Sequence, residues 1–155
     1  MIPLRLSDLP AITASRVLYE TGMRPKTLFS LKNRQLDYRT GVLKFVEAKT
    51  QTARTVKISR ELSILLTKFF KTYHRFQKCF RNTDRLRKAL ASRIPRIDIQ
   101  KPHLNKLYLF RYLYIYNAIK SGRSPEDVRL DLGHSDIVYT NNYIDIATKA
   151  IEKLP

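Results

Sequence analysis

Five side chains, spread widely along this chain, have the chemistry needed to break a phosphodiester. They are Arg24, Lys49, Arg111, His134 and Tyr143. Arginine side chains neutralise the non-bridging oxygens of a phosphate, and a tyrosine oxygen can attack the phosphorus. A cationic side chain then gives a proton to the oxygen that leaves. The set therefore predicts a metal-free transesterification of a DNA phosphodiester.

The spacing of these residues forms two boxes that are similar to those of a known family. The first box is T-G-M-R at residues 21–24. The second begins as Y-L-F-R at residues 108–111, has a glycine eleven residues later, continues as L-G-H at residues 132–134, and ends at Tyr143, nine residues after the histidine. This order resembles the tyrosine recombinases, the integrase family of site-specific DNA recombinases. The resemblance covers roughly residues 15–148.

The resemblance implies a role for each of the five residues. Arg24 and Arg111 would clamp the scissile phosphate, and Tyr143 would form a 3′-phosphotyrosine. Lys49, in the segment between the boxes, would protonate the departing 5′ oxygen. His134 would donate a hydrogen bond to a phosphate oxygen or help to move the tyrosine proton.

Two of these assignments have competitors within the chain. Lys44 and Lys57 lie on either side of Lys49, but a one-residue slip of the alignment reaches neither. Tyr139 lies about one helical turn before Tyr143 and could reach the same pocket. The nine-residue step from the histidine favours Tyr143.

Three positions differ from the family pattern. Tyr108 replaces the first histidine of H-x-x-R, which is similar to the R…Y-x-x-R…Y pattern of integrases of archaeal plasmids, and its hydroxyl can still donate to a phosphate. Tyr112 stands where the family often has a further histidine. Thr27 stands three residues after the first arginine, where the family usually has an acid. The loss of that carboxylate predicts a missing orienting partner for the active-site cations and slower catalysis.

The charge of the chain indicates a polyanionic partner. Its 30 lysines and arginines against 13 acids give a formal net charge of +17 and a pI near 10.3. Such an excess costs self-repulsion, so double-stranded DNA is the predicted partner.

One cysteine and three scattered histidines offer no metal-ligand spacing, so no metal or other cofactor is expected. With no signal core and no long apolar run, we expect a soluble cytoplasmic protein of a prokaryotic or virus-infected cell, bound to DNA.

The apolar spacing predicts a mainly helical α+β fold with a small three-stranded antiparallel sheet. The tyrosine recombinase catalytic domain, which the resemblance implies, has this fold. Lys49 is expected between the second and third strands. The predicted strands lie near residues 35–38, 42–46 and 52–58, and the predicted helices over 11–22, 25–32, 60–78, 106–121, 124–133, 136–145 and 147–154.

A strongly basic segment follows the predicted sheet. Residues 68–96 carry ten lysines and arginines and one acid, Asp84. A solvated basic face explains most of these side chains. A subset that contacts DNA phosphates is an equally good interpretation, since such contacts need only position and charge.

We interpret the chain as a single catalytic domain over residues 1–155, without the N-terminal DNA-clamping domain that the family uses. Self-association on DNA, as a synaptic tetramer, is expected, with weak or no association without DNA. A type IB topoisomerase-like enzyme and a catalytically degenerate DNA-binding module are the alternatives. The tail after residue 143 would pack either on its own domain or on a neighbouring subunit.

Overall fold

The computed structural model describes residues 6–91, 107–133 and 137–152. Within these residues the chain forms eight α-helices and a three-stranded sheet, with short 3-10 turns at Leu6–Asp8 and Asn33–Gln35. In chain order the elements are α1 (Leu9–Thr21), α2 (Pro25–Ser30), β1 (Leu36–Asp37), β2 (Val42–Val46), β3 (Ala53–Lys57), α3 (Arg60–Tyr73), α4 (Phe76–Phe80), α5 (Thr83–Leu90), α6 (Tyr108–Lys120), α7 (Pro125–Leu132) and α8 (Ile137–Glu152).

Local signals in the sequence explain where several helices begin and end. Gly22 closes α1 with φ of 65°, and its N–H donates to the carbonyl of Leu18. The Ser59 hydroxyl accepts from a backbone N–H at the start of α3, and Ser124 does the same for α7. Gly133 ends α7 in the left-handed conformation. The predicted helices at these positions are confirmed.

The three strands form the predicted antiparallel sheet in the order β1-β2-β3. Phe45 of β2 lies opposite Arg54 of β3. Side chains alternate between the two faces, so Leu43 and Phe45 are buried while Lys44 is exposed. Arg54 is also on the inner face and is buried. The sheet therefore carries a charged residue into the protein interior.

The helix predictions are wrong in two regions of the chain. The predicted helix over 60–78 ends at Tyr73, because His74 adopts φ of 66° and the chain turns before α4. This turn brings Phe76 back onto Phe69, with ring centroids 3.9 Å apart and nearly parallel planes. The two predicted segments over 136–145 and 147–154 are instead joined in one helix, α8, which runs to Glu152.

Helices α1, α3 and α6 surround the main core. Val17 and Leu18 of α1, Leu66 of α3 and Tyr112 of α6 are completely or almost completely buried. Helix α8 packs on α6 and α7, and Ile146 contacts the main core. The first part of the tail therefore packs on its own domain. In the part of the chain that the structure describes, none of the helices is long and apolar enough to cross a bilayer.

Candidate active site

The two predicted clamping arginines meet at one buried carboxylate. Arg24 directly precedes α2, and Arg111 lies in the first half of α6. Both approach Glu47, which follows β2 and whose side chain is fully buried. Arg24 Nη1 lies 3.6 Å from Glu47 Oε2, and Arg111 Nη1 lies 4.0 Å from Glu47 Oε1. The fold thus brings the two distant sequence boxes together.

Each of these arginines has a buried nitrogen available for a further contact. Arg24 Nη1 and Arg111 Nη2 have no hydrogen-bond acceptor within residues 6–91, 107–133 and 137–152. Arg111 Nη1 donates to the carbonyl of Gly22 at 2.6 Å, which fixes the orientation of the guanidinium group. Burial, followed by the nearby charge of Arg24, lowers the pKa of Arg111 to about 10, while Glu47 opposes that change. Arg111 therefore keeps its positive charge at neutral pH.

Gly22 of the first box is required by close packing as well as by its backbone angle. A Cβ atom at this position would lie 2.5 Å from Cδ1 of Tyr114 on α6. The absence of a side chain lets α6 approach the end of α1, where the Gly22 carbonyl receives its hydrogen bond from Arg111. The glycine of the first box therefore helps to position the arginine of the second.

A third arginine, Arg54 of β3, connects Glu47 to α7. Its Nη1 donates to Glu47 at 3.2 Å, and its Nε and Nη2 donate to the two carboxylate oxygens of Asp131 at 3.2 and 3.1 Å. The Arg54 side chain is fully buried and lies between the rings of Phe45 and Tyr114. Removing one partner of a buried ion pair is strongly destabilising, so this network is a rigid support for the site.

Tyr143 lies in the middle of α8, which packs on α6, the helix that carries Arg111. Its ring is half-buried and sits 5.4 Å from the ring of Tyr112, measured between centroids. Tyr143 also acts electrostatically on Arg111 and favours the charged form of that guanidinium. Burial first, and then Tyr143, raises the pKa of Tyr112 above its ordinary value. The predicted nucleophile therefore packs against the residue that follows Arg111 in α6.

The turn between β2 and β3 contains Lys49 and is hydrogen-bonded to α2. The hydroxyl of Thr27 donates to Glu47 Oε2 at 2.8 Å and accepts from the N–H of Ala48 at 3.1 Å. Lys49 itself is exposed. The prediction that it lies between the second and third strands is confirmed.

The same turn packs against the end of α7. A Cβ atom at Gly133 would lie 2.3 Å from Oγ1 of Thr52 and 3.0 Å from Oγ1 of Thr50. A glycine at this position therefore allows the Lys49 turn to touch the L-G-H box. Two of the sequence motifs are therefore in direct contact, between the Gly133 backbone and the side chains of Thr50 and Thr52.

Of the remaining predicted residues and their competitors, some lie outside the part of the chain that the structure describes. Tyr108 begins α6 and is half-buried, one turn before Arg111. His134 lies outside the described residues. The competitors Lys44 and Lys57 are exposed on the strands, and the side chain of Tyr139 is outside the described part of α8.

Glu47 and Arg54 were missed from the sequence because neither belongs to the two boxes. The alternation of the strands does contain a signal for both. Glu47 continues the inward positions of Leu43 and Phe45, and Arg54 is flanked by the exposed Ala53 and Thr55. Charged residues at inward positions of adjacent strands indicate a buried ion pair or a functional site. Among the described residues, no group of three or more histidine, cysteine or acidic side chains is arranged to hold a metal ion.

Residues 7–150 match the phage integrase family, and the chain belongs to that family. Solved structures similar to this chain include tyrosine recombinases and integrases. No curated protein sequence matches the chain. Neither of the two alternatives, a type IB topoisomerase-like enzyme or a degenerate DNA-binding module, is favoured by these findings.

Three of the similar structures illustrate the shared fold. The catalytic domain of bacteriophage HP1 integrase is 21% identical with a TM-score of 0.59, over 96% of this chain and 90% of that one. A Tn1549 transposon integrase in complex with a circular intermediate DNA is 17% identical with a TM-score of 0.59, over 99% and 66%. The XerH site-specific recombinase, in a post-cleavage complex with a palindromic difH substrate, is 13% identical with a TM-score of 0.66, over 98% and 47%. The chain thus spans about two thirds of the Tn1549 integrase chain and about half of XerH.

Proposed function

We propose that this chain breaks and rejoins double-stranded DNA at specific sites, through a 3′-phosphotyrosine intermediate. The observation that supports this most directly is the arginine pair. Arg24 and Arg111 each have a buried nitrogen with no acceptor among the described residues, and Tyr143 packs on Tyr112, the residue after Arg111. A phosphodiester offers two charged non-bridging oxygens to such donors, and the planar guanidinium group suits them geometrically.

In the first chemical step, the Tyr143 oxygen attacks the phosphorus and the bond from phosphorus to the 5′ oxygen breaks. The phenol proton leaves with the help of His134, and Lys49 gives its proton to the departing 5′ oxygen, which becomes a hydroxyl group. Arg24 and Arg111 stabilise the extra negative charge of the transition state. Tyr108 donates a hydrogen bond to the phosphate.

The second step reverses the first on a different strand. A 5′ hydroxyl of the partner DNA attacks the phosphotyrosyl phosphorus, the bond to Tyr143 breaks, and the two protons return to their original groups. The phosphotyrosyl ester retains the energy of the broken bond, so rejoining needs no nucleotide.

Exposed cations on the helices after the sheet supply the additional DNA contacts in this proposal. Asp84 pairs with Arg87 and Lys88, which leaves the remaining basic residues of this region facing solvent. They would neutralise backbone phosphates without reading the sequence. Assembly into a tetramer on DNA, in the cytoplasm, completes the proposal. The exposed cations are Lys68, Lys71, Arg75, Lys78, Arg81 and Arg85.

A suicide DNA substrate tests the proposed function. A nick placed close to the cleavage site makes the strand that carries the new 5′ hydroxyl a short fragment. This fragment diffuses away after cleavage, so the covalent adduct cannot be rejoined and accumulates. We expect a protein–DNA adduct that resists denaturation and maps to Tyr143 by peptide mass spectrometry. A chain that binds DNA without forming an adduct on any substrate from its mobile element would be a binding module instead.

We expect cleavage to continue in excess EDTA. The arginine cluster already provides the positive charge that a divalent cation would bring to the phosphate. The measurement compares the initial rate of adduct formation in EDTA with the rate in Mg²⁺. Complete loss of the chemical step in EDTA, with DNA binding intact, would change the assignment to a metal-dependent nuclease.

Gly133→Ala should slow cleavage because the new methyl group pushes the Lys49 turn away from α7. Gly122→Ala is the matched control, since Gly122 also has positive φ, at 98°, but a Cβ there meets nothing within 4 Å. Both variants should lose about 1–2 kcal/mol of unfolding free energy through the backbone alone. Cleavage at saturating DNA should fall in Gly133→Ala and stay near the wild-type rate in Gly122→Ala. Equal rates in the two variants would show that this packing does not position Lys49.

A further inference from the structure

The acid beside the arginine pair does not come from α2. Thr27 occupies the position where the family usually has a carboxylate, yet its hydroxyl donates to a carboxylate that comes from the end of β2. We propose that Glu47 is the positioning residue for Arg24 and Arg111, so that the acid missing from α2 is supplied by the sheet. This inference rests on the proposed function, because it concerns the same arginine pair.

The contacts of Glu47 support a positioning role. One carboxylate oxygen accepts from Thr27 and lies 3.6 Å from Arg24 Nη1. The other accepts from Arg54 at 3.2 Å and lies 4.0 Å from Arg111 Nη1. Among the described residues, Glu47 is the carboxylate that ion-pairs with both Arg24 and Arg111.

The charges explain why a carboxylate is needed at this place. Arg24 and Arg111 repel each other strongly enough for Arg24 to lower the pKa of Arg111. Two like charges held together in a buried site require a counter-charge, and one that lies between them also sets their separation. Glu47 faces Nη1 of both arginines, whereas Arg111 Nη2 has no acceptor among the described residues and is left for an anion.

The surroundings of Glu47 keep its carboxylate in one place. Arg54 itself donates from Nε and Nη2 to the two carboxylate oxygens of Asp131, and from Nη2 to the carbonyl of Thr21 at 2.6 Å. Thr27 holds the second oxygen from α2. Helices α1, α2 and α7 therefore all contribute to the position of a single carboxylate, as expected for a residue that sets the geometry of others.

Glu47→Gln tests the role with almost no change in volume. Single-turnover cleavage at saturating DNA should fall on the order of 10²-fold, because the two guanidinium groups lose their fixed separation. DNA affinity at constant salt should change little. Glu20→Gln is the matched control, since Glu20 is a partly buried carboxylate that accepts from Ser59 outside the cluster. It loses the same charge and should cleave at the wild-type rate.

The double variant Thr27→Asp with Glu47→Gln returns a carboxylate to the cluster from the α2 side. We expect it to recover most of the lost cleavage rate. Recovery of the thermal unfolding midpoint without recovery of cleavage would show that Glu47 only balances charge in the fold, and would overturn the proposal. A folded Glu47→Gln variant that cleaves at the wild-type rate would overturn it as well.

Arginine Nε–H signals in ¹H–¹⁵N spectra give a readout that does not depend on cleavage. In the wild-type protein, Arg24 and Arg111 should show sharp signals that exchange slowly with solvent. These signals should be lost in Glu47→Gln and return in the double variant. Wild-type protein that forms no adduct but shows this pattern would refute the proposed function and keep the positioning role. Unchanged signals in Glu47→Gln would refute the positioning role itself.

Discussion

Tyr143→Phe should abolish the covalent protein–DNA adduct while DNA binding stays close to that of the wild type. The substitution removes the attacking oxygen and keeps the ring that packs 5.4 Å from Tyr112. The fold should therefore be retained, and one hydroxyl contributes little to a binding interface dominated by charge. The measurements are adduct yield on a suicide substrate and DNA affinity at fixed salt.

Two other tyrosine variants make this result specific. Tyr139→Phe should keep most of the activity, and an adduct that maps to Tyr139 would show that the nine-residue register is misleading. Tyr112→Phe removes a buried hydroxyl that has no hydrogen-bond partner among the described residues. Because an unsatisfied buried hydroxyl is costly, this variant should be at least as stable as the wild type and should still form the adduct.

Replacing either of the two arginines that we propose as the phosphate clamp should cost several kcal/mol of transition-state stabilisation. For Arg24→Ala and Arg111→Ala we expect losses of about 3–4 kcal/mol or more, comparable to removing a donor from an oxyanion hole. Nη1 of both residues faces the same buried carboxylate, but the two approach it from different elements, so we expect each substitution to have its own large effect. The comparison needed is the cleavage rate at saturating DNA against DNA affinity.

Lysine substitutions and a surface arginine complete this experiment. Arg24→Lys and Arg111→Lys keep the charge but lose the planar fork, so they should remain far below the wild-type rate. Arg16→Ala removes an arginine that is exposed and pairs only with Glu20 in the described structure, and it should have almost no effect. Equal losses in affinity and in rate for Arg24→Ala or Arg111→Ala would identify them as ordinary phosphate contacts.

Much of the fold could be predicted because the chain marks the ends of its elements with glycine, proline and serine. Gly22, Pro25, Ser59, Ser124 and Gly133 all stand at helix boundaries in the structure. The break after Tyr73 has no such marker. It depends on the stacking of two aromatic rings from neighbouring helices, which is a tertiary contact that local spacing does not contain.

The candidate site was only partly predictable for a similar reason. The boxes identified Arg24 and Arg111, but they gave no indication that the counter-charge comes from another part of the chain. The missing acid at Thr27 suggested a weakened site, whereas the structure has a carboxylate, Glu47, within hydrogen-bond distance of that threonine. A motif within one segment contains no information about a carboxylate that a different element, here the sheet, contributes to the same site.

The continuity of α8 has a mechanical consequence. Tyr143 lies within one unbroken helix, so its backbone cannot shift independently of the residues that follow it. Successive residues of a helix are separated by about 100° of rotation and 1.5 Å of rise, so a slip by a single residue would point the phenol in a different direction. A displacement of the residues that follow Tyr143 would therefore also move the proposed nucleophile.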